Sequence, residues 1–99
     1  MTSRYKFTFT DKILTAAHKH CILNYDEIIS SKVCGCFYCL KIYSPDKVPH
    51  WLNENKTAVT CQYTALCFCG NDAVIGSQSG YPISKKFLTD MHHRWFSME

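Results

Sequence analysis

The chain has 99 residues, 46% of them hydrophobic and 14% aromatic, with 11 Lys and Arg against 8 Asp and Glu for a formal charge of +3. That composition excludes a disordered tail, and the length leaves no room for a second core, so a single domain over residues 1–99 is expected. No apolar run approaches the ~20 residues that cross a bilayer, and the opening MTSRYKFTFTDK lacks the apolar stretch of a secretory signal; the expectation is a cytoplasmic protein without a membrane partner.

In chain order, residues 10–23 read as a helix. Thr10 suits the N-cap, Asp11 suits the positive end of the helix dipole, and Ile13, Leu14, Ala17 and Cys21 share one face. Asn24-Tyr-Asp-Glu27 has the form of a capping box opening a second short helix through Ile28 and Ile29. The stretch VCGCFYCLKIY then carries β-branched and aromatic flanks around a cysteine turn, which predicts strand, tight turn, strand. Ser44-Pro45 is read as an N-cap followed by proline at the first helical position, with Pro49 keeping that helix to a single turn.

TALCFCGNDAVIG repeats the strand–turn–strand pattern, with Gly70 where a left-handed residue is needed. GSQSGYP reads as a loop. Ser84 then caps a final helix carrying Phe87, Leu88, Met91 and Trp95 at helical spacing, with His92, His93 and Arg94 near its negative end. The expected class is α+β, a single small domain with helices packed around a metal-pinned β element.

Seven cysteines in a chain read as intracellular point to metal rather than disulfides, and the odd count agrees. Six are clustered: Cys34, Cys36 and Cys39 in one group, and Cys61, Cys67 and Cys69 in another about 30 residues on. Two such groups suit one tetrahedral site closed by two loops. Cys36-Phe-Tyr-Cys39 has the C-x-x-C spacing whose backbone N–H groups favour thiolates, whereas Cys67-Phe-Cys69 is one residue tighter. The predicted ligands are Cys36, Cys39, Cys67 and Cys69 around one structural zinc, with Cys34, Cys61 and His50 as rivals for single positions. Four thiolates suit iron as well as zinc. Buried thiols acting as small hydrophobes account well for Cys21 and for one of the spare cysteines, but clustering makes that a poor account of all seven.

VCGCFYCLKIY, Trp51, TALCFCGNDAVIG, SGYPIS and MHHRWF together resemble a family of short uncharacterised bacterial proteins often labelled cytoplasmic. In that family a CGCFYC segment is followed by a CPxCG knuckle, a D-x-V-I strand and a closing helix ending in Trp-Phe. The likeness covers roughly residues 10–96 and implies a zinc-ribbon-like site with two cysteine knuckles, and little about activity. The chain departs from it at CFCG, with TAVTCQY directly upstream, which leaves open whether Cys61 or Cys67 partners Cys69. A bacterial or phage origin fits the departure.

Other chemistry was weighed against plainer readings. His18 and Cys21 share a helix face and form a candidate thiol dyad, although Cys21 on the apolar face suits the core. Ser77, Ser79, Gly80, Lys85 and Lys86 form a candidate anion site beside an ordinary solvated turn, without the Gly-Lys-Ser/Thr ending of a phosphate loop. Bound zinc lowers the case for nucleic acid, because four thiolates (−4) and one Zn²⁺ (+2) take the formal +3 to about +1.

The expected function is therefore a zinc-stabilised interaction module without catalytic residues, a regulator, adaptor or inhibitor of a protein target, with toxin-neutralising or defence-blocking roles included and homo-oligomers allowed. The alternative is a nucleic-acid-binding zinc ribbon using Phe37, Tyr38, Lys41, Tyr43 and Phe68. The third reading is a small anionic-ligand binder or metal-dependent enzyme.

Overall fold

The computed structural model describes residues 5–54 and 63–96. The Thr10 hydroxyl accepts from the Ile13 N–H and starts α1 (Asp11–His18), which tightens into a 3₁₀ turn over Lys19–Cys21. The helical segment thus stops short of Leu23, which takes φ +48°. Leu14, Ala17 and Cys21 are buried as their spacing requires, whereas Ile13 at 37% exposure lies on the shoulder of that face.

Asn24 precedes α2 (Tyr25–Ile29), but its side chain makes no cap. The expected capping box does not form, because Asn24 is buried and its amide has tertiary partners. Its Nδ2 donates to the carbonyls of His20 (2.9 Å) and Val74 (2.8 Å), and its Oδ1 accepts from the Ala65 N–H (3.0 Å). Glu27, the other half of the expected box, reaches the His20 Nδ1 at 2.9 Å instead. One amide thus joins the end of the first helical segment to two strands.

The first cysteine segment gives β1 (Cys34–Cys36) and β2 (Ile42–Tyr43), paired antiparallel with Gly35 opposite Ile42. A 3₁₀ turn over Pro45–Lys47 follows, with Ser44 at the cap position; its hydroxyl bonds the Asp46 carboxylate rather than a backbone N–H. The remaining strands are β3 (His50–Asn53), β4 (Tyr63–Leu66) and β5 (Val74–Gly76).

The second cysteine segment does not fold back on itself. β4 pairs with β3, whereas β5 pairs with the other edge of β1, giving a sheet ordered β2-β1-β5 and a separate two-stranded β3-β4 sheet. The chain between β4 and β5 therefore crosses from one sheet to the other, and it carries Cys67 and Cys69.

Ser84 accepts from the Phe87 N–H and starts α3 (Lys85–Trp95). Phe87, Leu88 and Met91 join Leu14, Ile28, Phe37, Val74 and Ile75 in one core. The Trp95 indole N–H donates to the Leu14 carbonyl (3.4 Å) and Arg94 pairs with Asp11, which holds α3 against α1. Asp90, also on α3, has no exposed surface and receives the Thr8 and Phe9 N–H groups, the Tyr5 hydroxyl and the Lys86 ammonium. The architecture is α+β, and among the described residues no helix is long and apolar enough to cross a membrane.

Candidate metal centre

Two turns of related form bring the cysteines together. In the first, the Cys36 N–H donates to the Lys41 carbonyl (2.9 Å) and the Leu40 N–H to the Cys36 carbonyl (2.8 Å), while Leu40 adopts φ +69°. In the second, the Cys67 N–H donates to the Asn71 carbonyl (3.0 Å) and the Gly70 N–H to the Cys67 carbonyl (2.8 Å), with Gly70 at φ +90°. The second turn is the first with one residue removed. In each, the residue after the second cysteine takes the left-handed conformation that reverses the chain. Glycine meets that need at little cost, and Leu40 meets it with some strain.

The four sulfurs of Cys36, Cys39, Cys67 and Cys69 lie within 4.8 Å of one another. Cys36 faces Cys69 at 3.7 Å, and Cys39 faces Cys67 at 3.5 Å. Sulfurs held ~2.3 Å from one ion at tetrahedral angles would be about 3.8 Å apart, so the cluster has nearly the dimensions of a four-thiolate site. Among the described residues no other group of three or more His, Cys, Asp or Glu side chains comes together in this way. Cys36 and Cys67 are buried, Cys39 is half-buried and Cys69 is exposed.

The donors around the sulfurs are those that thiolates require. The Tyr38 N–H donates to the Cys36 Sγ (3.4 Å), and the Asn71 side-chain amide to the Cys69 Sγ (3.6 Å). The N–H groups of Cys39, Lys41 and Cys69 favour the thiolates of Cys36, Cys39 and Cys67 respectively. Burial opposes ionisation and holds the Cys36 and Cys39 thiols above their ordinary range. At Cys67 burial also raises the thiol, but the Tyr43 hydroxyl, the Cys69 N–H and the neighbouring cysteines outweigh it and bring it below the ordinary value. The Tyr43 hydroxyl is buried without a hydrogen bond of normal geometry, and burial together with Cys67 keeps it protonated.

The first turn is also tied to the core. The Phe37 N–H donates to the Ala73 carbonyl (3.0 Å), its carbonyl is 3.1 Å from the His92 Nδ1, and its ring is buried. Phe37 is thus not available to stack on a base, and Tyr38 packs edge-on against Phe96.

Two of the rival ligands, Cys34 and His50, fall outside the quartet. Cys34 is buried within β1 outside the quartet, and burial pushes its thiol up to about 12. His50 is exposed on β3 opposite Leu66, also outside the quartet. Cys61 lies outside the described residues; among those described, Cys67 accompanies Cys69.

The candidate dyad does not have a nucleophile's surroundings. Burial raises the Cys21 thiol to about 11, and the His18 ring packs on Trp95 with centroids 4.0 Å apart. At the candidate anion site, the Ser77 hydroxyl accepts from the Lys32 and Val33 N–H groups, and the Ser79 hydroxyl donates to the Gly76 carbonyl. Gly80 takes φ +92° to close the turn, Lys85 is exposed, and the Lys86 ammonium is engaged by Asp90, Tyr5 and the Lys6 carbonyl. The sequence did not signal Leu40 or Asn71, and it offered Tyr43 only for base stacking and His92 only for the end of α3; each is made relevant here by its position beside a turn. Comparison of the chain with protein-family models, curated proteins and solved structures gave no match.

Proposed function

We propose that Cys36, Cys39, Cys67 and Cys69 hold one structural zinc in a zinc-ribbon-like pair of knuckles. On this reading the chain is a small cytoplasmic interaction module, a regulator, adaptor or inhibitor that acts by binding a protein. The observation that carries the zinc assignment is the convergence of four sulfurs within 4.8 Å of one another, served by backbone and side-chain N–H donors. Zinc takes four thiolates without an open position when its role is structural, and it then supplies folding free energy directly.

The binding role is supported by the apolar surface left around α2 and the β3-β4 sheet. Ile22, Leu23 and Ile29 are exposed, and the Tyr25 ring lies between Trp51 at 4.8 Å and Tyr63 at 6.1 Å; Leu52 is exposed on the opposite face of β3. Exposed apolar side chains that form one contiguous patch mark interaction surfaces, and that is the reading of this face.

Native mass spectrometry with elemental analysis, on protein purified without affinity metals, tests the first part. One zinc per chain with unfolding on chelation is expected; a folded metal-free protein overturns the assignment. Affinity capture with wild type and an Ile22→Ser/Ile29→Ser variant tests the second. A protein retained by wild type and lost by the variant is expected, and equal retention by both removes this face from the account.

A further inference from the structure

A groove runs beside the metal-bearing turns, on the side of the sheet where β2 forms the edge. It is lined by Lys41, Ile42, Tyr43, Lys47 and Phe68 and encloses about 410 Å³. Phe68, between two of the cysteine ligands, is 60% exposed, and the Tyr43 ring meets it edge-on at 5.7 Å. A phenyl ring in that position is held by its neighbours yet turned outwards. Lys41 and Lys47 are exposed, and neither makes an ion pair with another described residue. Asp46 is the opposing charge nearest in sequence; its carboxyl is hydrogen-bonded by Ser44 and is also drawn on by the Lys47 charge.

We propose that this groove binds a single-stranded nucleic-acid segment, one base stacking on Phe68 and the adjoining phosphates meeting Lys41 and Lys47. The groove is open along its side, and ligands of drug size are normally enclosed over 70–90% of their surface. A segment of a polymer lies in an open groove without that requirement. An outward aromatic ring flanked by cations matches the alternation of base and phosphate, and stacking on such a ring is tolerant of sequence. An acidic peptide would use the two lysines equally well but has no general need of the exposed ring. The inference is independent of the apolar face around α2. It does use a turn that carries ligands, so zinc-loaded protein is the material to test.

The probe is a fluorescein-labelled dT12 oligonucleotide, followed by anisotropy at 50 and 200 mM salt. Two neutralised phosphates on a single strand give a salt slope of about −1.4, so affinity should fall about sevenfold across that range. Lys41→Gln/Lys47→Gln should weaken binding at 50 mM and remove most of that slope. Phe68→Ala should weaken it roughly 5- to 150-fold and leave the slope unchanged, with Phe68→Trp restoring it. Asp46→Asn, which touches no ligand, should tighten it.

Zinc content of each variant is read by native mass spectrometry in the same series. Absence of an anisotropy change at 50 mM overturns the proposal. So does equal binding by Phe68→Ala and wild type, above all if poly-L-glutamate displaces the oligonucleotide, since the groove is then a site for acidic polymers. Loss of zinc from the lysine variant would show that Lys41 and Lys47 serve the thiolates instead, and also overturns it. Ile22→Ser/Ile29→Ser should leave oligonucleotide binding unaltered, which separates this site from the protein-docking face.

Discussion

Replacing Asp90 tests whether the N-terminal segment is held to α3 by one buried carboxylate. The Asp90 Oδ2 accepts from Thr8 N–H at 2.8 Å and Phe9 N–H at 2.9 Å, and its Oδ1 takes the Lys86 ammonium at 3.0 Å and the Tyr5 hydroxyl. Hydrogen bonds to a charged group contribute about 1.5–3 kcal/mol each. Thr8 and Lys86 are exposed and can turn to water when the acceptor goes, and the Tyr5 hydroxyl keeps the Lys86 ammonium as a partner, so the uncompensated loss falls on Phe9. Asp90→Ala should therefore cost about 1.5–3 kcal/mol. Asp90→Asn keeps an oxygen for the two N–H groups and should cost less than half of that. Urea unfolding of zinc-loaded protein gives both numbers, and hydrogen exchange at the Thr8 and Phe9 amides locates them. The Phe9 ring packs edge-on against Phe87 at 5.1 Å, and Tyr5 stacks on His93 at 3.7 Å, so release of the segment should also be visible as faster exchange across residues 5–9. A cost below about 1 kcal/mol for Asp90→Ala, with the two amides still protected, would refute this account of the segment.

Three further outcomes follow from the same reasoning. Asn24→Ala leaves the Ala65 N–H and the Val74 carbonyl without their partner, and should lower stability by about 3 kcal/mol in urea melts. Gly76→Ala places a Cβ 2.3 Å from the Ser31 Oγ, which donates to the Glu27 carbonyl and accepts from the Gln78 N–H; a cost of about 2 kcal/mol is expected, with Ser31→Gly recovering part of it. Burial, with Arg94 adding to it against an opposing effect of Asp72, holds the His18 ring below its ordinary value of 6.5. The unfolded chain then takes the proton first, so this contribution is complete above about pH 6.5 and is lost as pH falls towards the folded value. His18→Gln should flatten that part of the stability profile between pH 7 and 5.5, and an unchanged profile would place the dependence elsewhere.

The local parts of the fold were legible because their causes are local. Thr10 and Ser84 cap their helices through their own hydroxyls, and Gly70 takes the left-handed conformation expected of it. The quartet was legible from spacing, since a second cysteine two or three residues after the first can reach the same point. Strand pairing was not legible: nothing within residues 64–76 says that its two strands belong to different sheets. Asn24 misled for a related reason. A short polar residue three before a glutamate looks like a cap, but burial between β4 and β5 gave its amide stronger partners. Leu40 carried no signal beyond its place after Cys39. Asp90 carried one, standing three residues after Phe87 on the apolar face of α3, where a charge must find donors.

The crossing between the two sheets would give a metal bound at the quartet its structural consequence. Cys36 and Cys39 belong to the β1–β2 turn, while Cys67 and Cys69 lie where the chain leaves the β3-β4 sheet for β5. Cys39 and Cys67 are 28 residues apart. Closing a loop of that length with any cross-link stabilises by about 3.5 kcal/mol on a chain-entropy account, whereas structural zinc in small peptides contributes about 10–16 kcal/mol. The difference reflects what the sulfurs do otherwise. Burial holds Cys36 and Cys39 as thiols, while the N–H donors around them are arranged for thiolates. The cation proposed for the centre of the quartet would reconcile those two demands, ionising the sulfurs that burial keeps protonated and fixing the β3-β4 sheet to the core through a turn one residue shorter than its partner.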